Sequence, residues 1–374
     1  MVLRFSTQGF SGYNLQYSPF FDNRVAVASG SNFGIVGNGK LFILDIDRQG
    51  TIHEANSFLT QDCLFDLCWN EVHENQVLVA QGDGSLRLFD TKLSQYPIAI
   101  FNGHEREVIS CNWNLVGKQT FISSSWDGTV KVWSPTRKEN LLTLQPVSFD
   151  HSISTNVSVN NLNSNPKSRG AISTNKDCVY QGQFSPHDDN IIMCSSGNSY
   201  VTLFDVRQPN YPSNHRRILA HSGLEALTCD FNKYRPNIIA SSGVDNTIRI
   251  WDIRMLANSN SIGSGTKNSA ICINEINNAH DLAVRRVSWS PHHPDMLLSV
   301  SYDMTCRVWK DFSFDESRQT MKTNSIDPGK GCIKNFQGHS EFVFGADWSL
   351  WGQPGFIATT GWDGNVFIWN AFQN

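Results

Sequence analysis

Seven occurrences of one pattern make this chain read as all-β, a seven-bladed WD-repeat β-propeller. In each repeat a β-rich run meets a tight turn on Asp or Asn: Asn38, Asp83, Asp127, Asn198, Asp245, Asp303 and Asp363. Six residues after each turn stands Leu44, Phe89, Trp133, Phe204, Trp251, Trp309 or Trp369, so most repeats end on an aromatic ring. The turns are 45, 44, 71, 47, 58 and 60 residues apart, a unit in the forties with three insertions. The 374 residues then form one closed body, 1–374, rather than the two or three domains their number alone would suggest. A disc of this kind binds other molecules on its rims.

Each repeat divides into strands a to d. In the third these are 108–113, 120–125, 129–133 and 141–145, with Asp127-Gly128 turning b into c. An aromatic residue recurs in every strand a, at Tyr17, Trp69, Trp113, Phe184, Phe231, Trp289 and Trp348. Alternation with a β-branched bias fits half-buried antiparallel strands. In the first repeat Gly34-Ile35-Val36-Gly37-Asn38-Gly39-Lys40 nearly spells a phosphate-binding loop. Leu41 stands where Ser or Thr should hold magnesium, and a strand follows instead of a helix, so it is read as a b–c turn.

Four repeats carry His, Ser/Thr, Asp and Trp together: His104, Ser123, Asp127, Trp133; His221, Ser241, Asp245, Trp251; His280, Ser299, Asp303, Trp309; His339, Thr359, Asp363, Trp369. A set repeated in four blades is read as a buried hydrogen-bond relay rather than a catalytic triad. Repeats one, two and four lack the histidine and should depend more on apolar packing. Strand c of the last repeat ends at Trp369, leaving nothing for strand d, and the unassigned segment 2–7 is expected to fill that slot and remove the open sheet edges.

The insertions sort onto opposite faces. Segment 147–176, rich in Ser and Asn, follows strand d and is expected as a mobile loop on the top rim, beside the histidine loops. Whether it leans over a ligand or is inert stays open. Segments 255–269 and 311–330 precede strands d at 270–276 and 331–337, which places them on the bottom rim.

Composition narrows the function. The chain is 40% hydrophobic and 11% aromatic, as a large β core requires, and its net charge of −4 with a pI near 6.2 argues against coating nucleic acid or an anionic membrane. Nine scattered cysteines without a CxxC pair point to free thiols in a reducing compartment, with no disulfide framework, zinc site or cofactor motif. No apolar run is long enough to insert in a membrane, and neither end carries a targeting signal, so a cytoplasmic protein is expected. No GxSxG or HExxH occurs, and no enzyme is expected.

Function should therefore lie at the top rim. The residue before each turn and those flanking each strand a project there, which selects Asp62, Phe65, Glu107, Trp126, Tyr180, Glu225, Tyr302, Phe342 and Trp362 as a binding surface. Leu224, Arg285 and Phe344 occupy equivalent places. Aromatics with carboxylates on blades two, three and five suit an amphipathic helical peptide bearing Arg or Lys. An alternative comes from Trp251-Asp252-Ile253-Arg254 and Phe204-Asp205-Val206-Arg207, which resemble the box of cullin-4 ubiquitin-ligase substrate receptors; the same Arg would also serve to brace a c–d loop.

Several strings resemble the peroxin-7 family, receptors for the type-2 peroxisomal targeting signal, and most nearly its budding-yeast members. They are Gly12-Tyr13 through Tyr17-Ser18-Pro19-Phe20, Asn32-Phe33-Gly34-Ile35, Asp62-Cys63-Leu64-Phe65-Asp66, Glu105-Arg106-Glu107-Val108, Ser125-Trp126-Asp127, Cys229-Asp230-Phe231-Asn232-Lys233-Tyr234, Arg285-Arg286-Val287 and Ser301-Tyr302-Asp303. The resemblance implies a soluble receptor shuttling between cytoplasm and peroxisome. It would carry matrix proteins such as 3-ketoacyl-CoA thiolase by an N-terminal helical signal. A co-receptor of the peroxin-18, peroxin-20 or peroxin-21 type and docking on peroxin-13 and peroxin-14 are implied too, with Asp62 and Glu107 matching positions suited to the signal's Arg.

Overall fold

Strand boundaries follow the aromatic markers. In the computed structural model, which describes residues 2–93, 96–146, 178–207, 215–256, 270–314 and 331–373, the innermost strand of every blade ends on its marker. These strands are β2 (Ser11–Tyr17), β6 (Leu64–Trp69), β10 (Val108–Trp113), β14 (Val179–Phe184), β18 (Ala226–Phe231), β22 (Val284–Trp289) and β26 (Val343–Trp348), in a numbering of β1 to β28 along the chain. Each opens a four-stranded antiparallel sheet, and the seven sheets are the seven blades of a β-propeller. The expected closure is present: β1 (Leu3–Ser6) lies antiparallel to β28 (Asn365–Asn370), pairing Leu3 with Ile368 and Ser6 with Asn365. The expected loop 147–176 lies outside the described residues, as do 257–269 and 315–330, most of the other two insertions.

The core sits between blades. Where blades 1 and 2 meet, Ala28, Leu41, Phe58, Leu67, Trp69 and Phe89 are buried together, with the Phe58 and Phe89 rings 4.8 Å apart. Trp113, Trp133, Trp289, Trp309, Trp348 and Trp369 are among the largest fully buried side chains. Polar side chains on the inner strands tie neighbouring blades through backbone N–H groups that the strand pairing leaves over. Cys111 N donates to Asp66 Oδ2 (3.0 Å), Phe184 N to Asn112 Oδ1 (2.9 Å), Trp289 N to Asp230 Oδ2 (2.7 Å) and Tyr17 N to Asp347 Oδ2 (2.9 Å). A buried donor without such an acceptor would cost about 1–3 kcal/mol.

The His–Ser–Asp–Trp sets are relays inside their blades. In blade 3, His104 Nδ1 and Asp127 Oδ2 are 2.7 Å apart, His104 Nε2 and Ser123 Oγ 2.7 Å, and Trp133 Nε1 donates to Ser123 Oγ at 2.8 Å. Blades 5 and 6 repeat this, with Trp251 donating to Ser241 at 2.9 Å and Trp309 to Ser299 at 2.8 Å. Blade 7 departs from it. Thr359 Oγ1 is 2.9 Å from His339 Nε2, but the buried Trp369 Nε1 has no hydrogen-bond partner among the described residues. Blades 1, 2 and 4 end strand c on Leu44, Phe89 and Phe204, which have no indole N–H to satisfy.

Blade 1 differs from the expected tight turn. Its b–c connection runs over 31–38, between β3 (Arg24–Gly30) and β4 (Gly39–Ile46), and is closed by Ser31 N donating to Asn38 O at 2.8 Å. Asn32, Phe33 and Gly34 take positive φ of 48°, 55° and 66°, which lifts this loop out of the blade. All nine cysteines are free thiols, seven of them buried.

Candidate functional site

The inner strands start at the top rim, so the residues before and at their first positions frame the mouth of the ring. All nine side chains selected from the sequence are half-buried there. Asp62 precedes β6; its Oδ1 accepts from Cys63 N at 2.7 Å. Its Oδ2 would stand 2.9 Å from a Cβ at Gly82, so the missing side chain in that b–c turn leaves the carboxylate its room. Blade 3 has Trp126 at the corresponding place. Glu107 precedes β10, and its backbone carbonyl accepts from Trp126 N at 3.1 Å, which fixes the Trp126 turn beside it. β6 and β10 pack side by side, so the two acids stand on adjoining blades.

Six aromatic side chains form an arc of ring contacts over five blades. Tyr302 meets Phe344 (5.3 Å), Phe344 stacks on Trp362 (4.9 Å, 10°), Trp362 meets Tyr13 (6.1 Å), Tyr13 meets Phe65 (5.1 Å), and Phe65 meets Trp126 (6.3 Å). Phe342 packs on both Tyr302 (5.2 Å) and Trp362 (5.4 Å). Phe33, from the raised loop of blade 1, adds a ring 5.3 Å from Trp362. Such pairs contribute about 0.5–1.5 kcal/mol each beyond their burial, enough to hold the arc as one rigid surface. Phe344 is 8% exposed and Tyr13 6%, so both serve as its floor.

Tyr180 and Glu225 stand apart, on blades 4 and 5, outside the arc. Burial pushes the Tyr180 phenol up, and the neighbouring Glu225 carboxylate adds to the shift. Inner strands of six blades converge on a small cavity of about 10 Å³, lined by Tyr13, Phe65, Ile109, Tyr180, Arg285 and Phe344 among others. That is about the space of one water.

Three further residues contribute to the site. Tyr13 is the hub of the arc although it lies within β2, its hydroxyl donating to Phe33 O at 2.5 Å. Phe33 depends on the positive-φ loop. Arg106 has its Nε 3.7 Å from Glu107 Oε2 and its guanidinium 5.9 Å from the Trp126 ring, so one of the two acids already has a cation beside it. The alternative box motif turns inward on itself. Arg254 Nε donates to Asp252 Oδ1 and Oδ2 at 3.0 and 2.9 Å, and Arg207 holds Asp205 in the same fork, so each braces its own c–d turn.

Family models match the chain as "EIPR1 beta-propeller" over 147–309 and as "WD domain, G-beta repeat" over 95–134 and 330–370. The "Peroxisomal targeting signal 2 receptor" of Saccharomyces cerevisiae is 63% identical over 378 residues, covering 99% of this chain and 100% of that protein. The protein of the same name from Komagataella phaffii is 44% identical over 99% of both chains, and that of Schizosaccharomyces pombe 30% identical over 99% and 100%. The chain belongs to the peroxisomal targeting signal 2 receptor family. In this member of that receptor family the aromatic arc, the acids of blades 2 and 3 and the small cavity make up the candidate site. No helix among the described residues is long and apolar enough to cross a membrane.

Proposed function

We propose that this protein is a receptor for the type-2 peroxisomal targeting signal, and that the signal lies as an amphipathic helix across the top rim. Full-length identity of 63% to a receptor of that name carries the assignment. The aromatic arc would take the apolar stripe of the helix. Asp62 and Glu107 would take its cationic residue, with Tyr180 and Glu225 on the far wall. A charge-assisted bond contributes about 1.5–3 kcal/mol, part of it offset by desolvation, so the acids select the signal more than they tighten it. Arg106 supports this assignment, because an incoming cation exchanges places with it and finds Glu107 already oriented. The work of the molecule is binding; the histidine sets have their donors and acceptors used within the blades.

Cargo of the 3-ketoacyl-CoA thiolase kind, a co-receptor of the peroxin-18, peroxin-20 or peroxin-21 type, and docking on peroxin-13 and peroxin-14 complete the proposal, with the receptor cycling between cytoplasm and peroxisome. Reversing one charge tests it. Glu107→Lys should abolish binding of a thiolase N-terminal peptide, measured by fluorescence anisotropy with and without a co-receptor fragment, while the unfolding temperature stays within about 2 °C of wild type. Equal binding by the variant would remove Glu107 from the site.

A further inference from the structure

A cation faces the mouth from the side opposite the acids. Arg285, the second residue of β22, is half-buried on the wall of the small central cavity, which Phe65 and Ile109 line from blades 2 and 3, and its guanidinium is 5.7 Å from the Phe344 ring centroid. Among the described residues it makes no hydrogen bond or ion pair, whereas its neighbour Arg286 has Nη2 3.8 Å from Asp66 Oδ1. The Arg285 charge favours the ionised forms of Tyr13, Tyr180 and Tyr302, on blades 1, 4 and 6, so it is felt across the centre of the ring. Glu225 is the carboxylate that faces the same two phenols, Tyr180 and Tyr302, from blade 5. Asp62 and Glu107 introduce blades 2 and 3, and blade 6 lies three blades round the ring from each of them.

Asp62 and Glu107 therefore stand by one end of the arc, and Arg285, with the Glu225 carboxylate near it, by the other. A helix is polar in the same sense. Its first turn presents unpaired N–H groups and partial positive charge, its last turn unpaired carbonyls and partial negative charge. Laid with its first turn at the acids, a helix brings its last carbonyls toward Arg285; laid the other way, it sets carbonyls against carboxylates and N–H groups against a guanidinium. Resting on the receptor function above, we propose that Arg285 receives the C-terminal end of the bound signal helix and so fixes the direction in which the helix lies. Arg285 is then a determinant of specificity distinct from the acids. An Arg fits the task, since its forked donors can reach two carbonyls from one position.

The test uses the full-length protein and three amidated thiolase signal peptides that carry Ala, Glu or Lys in the last helical turn. Wild type should bind the Glu peptide severalfold tighter than the Lys peptide. Arg285→Glu should bind the Ala peptide about tenfold more weakly and reverse the order, with the Lys peptide regaining most of the loss. Arg285→Lys should keep the wild-type order. If Arg285→Glu binds all three as wild type does while Glu107→Lys binds none, the proposal is wrong and the receptor assignment stands. A loss in Arg285→Glu that is equal for all three peptides would also overturn it, since the residue would then act through packing alone. If wild type binds none of the peptides, both fall.

Discussion

At the turns of blades 2 to 7 one side-chain oxygen does the same task. Oδ1 of Asp83, Asp127, Asn198, Asp245, Asp303 or Asp363 accepts from the N–H two residues on, at 2.9 to 3.2 Å. The residue between has positive φ: Gly84, Gly128, Ser199, Asn246, Met304 and Gly364, from 60° to 85°. Asp and Asn recur because their short side chains reach this N–H, and glycine follows in three of them because the left-handed region costs other residues about 1–2 kcal/mol. Gly84 is bound more tightly still, since a Cβ there would stand 2.8 Å from His104 O in the next blade. Gly84→Ala should therefore lose at least about 1–2 kcal/mol, read as a lower denaturation midpoint in urea with an unchanged slope. These turns are legible in the sequence because the requirement is local. Tyr13 and Arg106 are not, because what they touch is set by which blades adjoin and where side chains point.

At the scale of a strand, β1 is the test of closure. Besides its backbone pairing, Arg4 Nε donates to Asn365 Oδ1 at 3.0 Å and Phe5 lies 6.3 Å from Phe42 of blade 1. Deleting residues 2–7 would strip blade 7 of its outer strand and leave β28 with an open edge. The expected result is a loss of several degrees in unfolding temperature together with oligomers on size-exclusion chromatography; a monomer of wild-type stability would show closure to be dispensable. The strand is readable from counting alone, because a blade without a fourth strand has to find one. Blade 1 shows where counting fails. Asn38 keeps its interval, but the residues before it build a longer loop that carries Phe33 onto the arc.

Across the whole molecule the relays confer a pH dependence. Burial works against ionisation of Asp127 and Asp245, yet hydrogen bonds and charge from His104 in the one case, and from His221 with Arg249 in the other, hold both at about 2. The unfolded carboxyls titrate near 4, so their stabilisation is complete above about pH 4 and is lost as pH falls toward about 2. His280 acts in the same direction from higher pH. Its burial keeps the imidazole neutral and lowers its pKa, so below about 6.5 the unfolded chain takes up a proton that the folded one refuses. Stability should decline gently below about pH 6.5 and steeply below about pH 4, followed by urea midpoints across that range; Asp127→Asn should flatten the steep part. A midpoint that did not change with acid would contradict the relays as drawn. The fold at this scale is readable because it repeats; the placing of Arg285 three blades from Asp62 and Glu107 is not, since it depends on how the ring closes.

One consequence follows from the partnership of Leu3 with Ile368. β1 is made more than 350 residues before β28 and must wait for it, so a growing chain that lacks β28 cannot lock its ring. A partly synthesised chain has no closed ring to offer, and competence for cargo waits until β28 has been made.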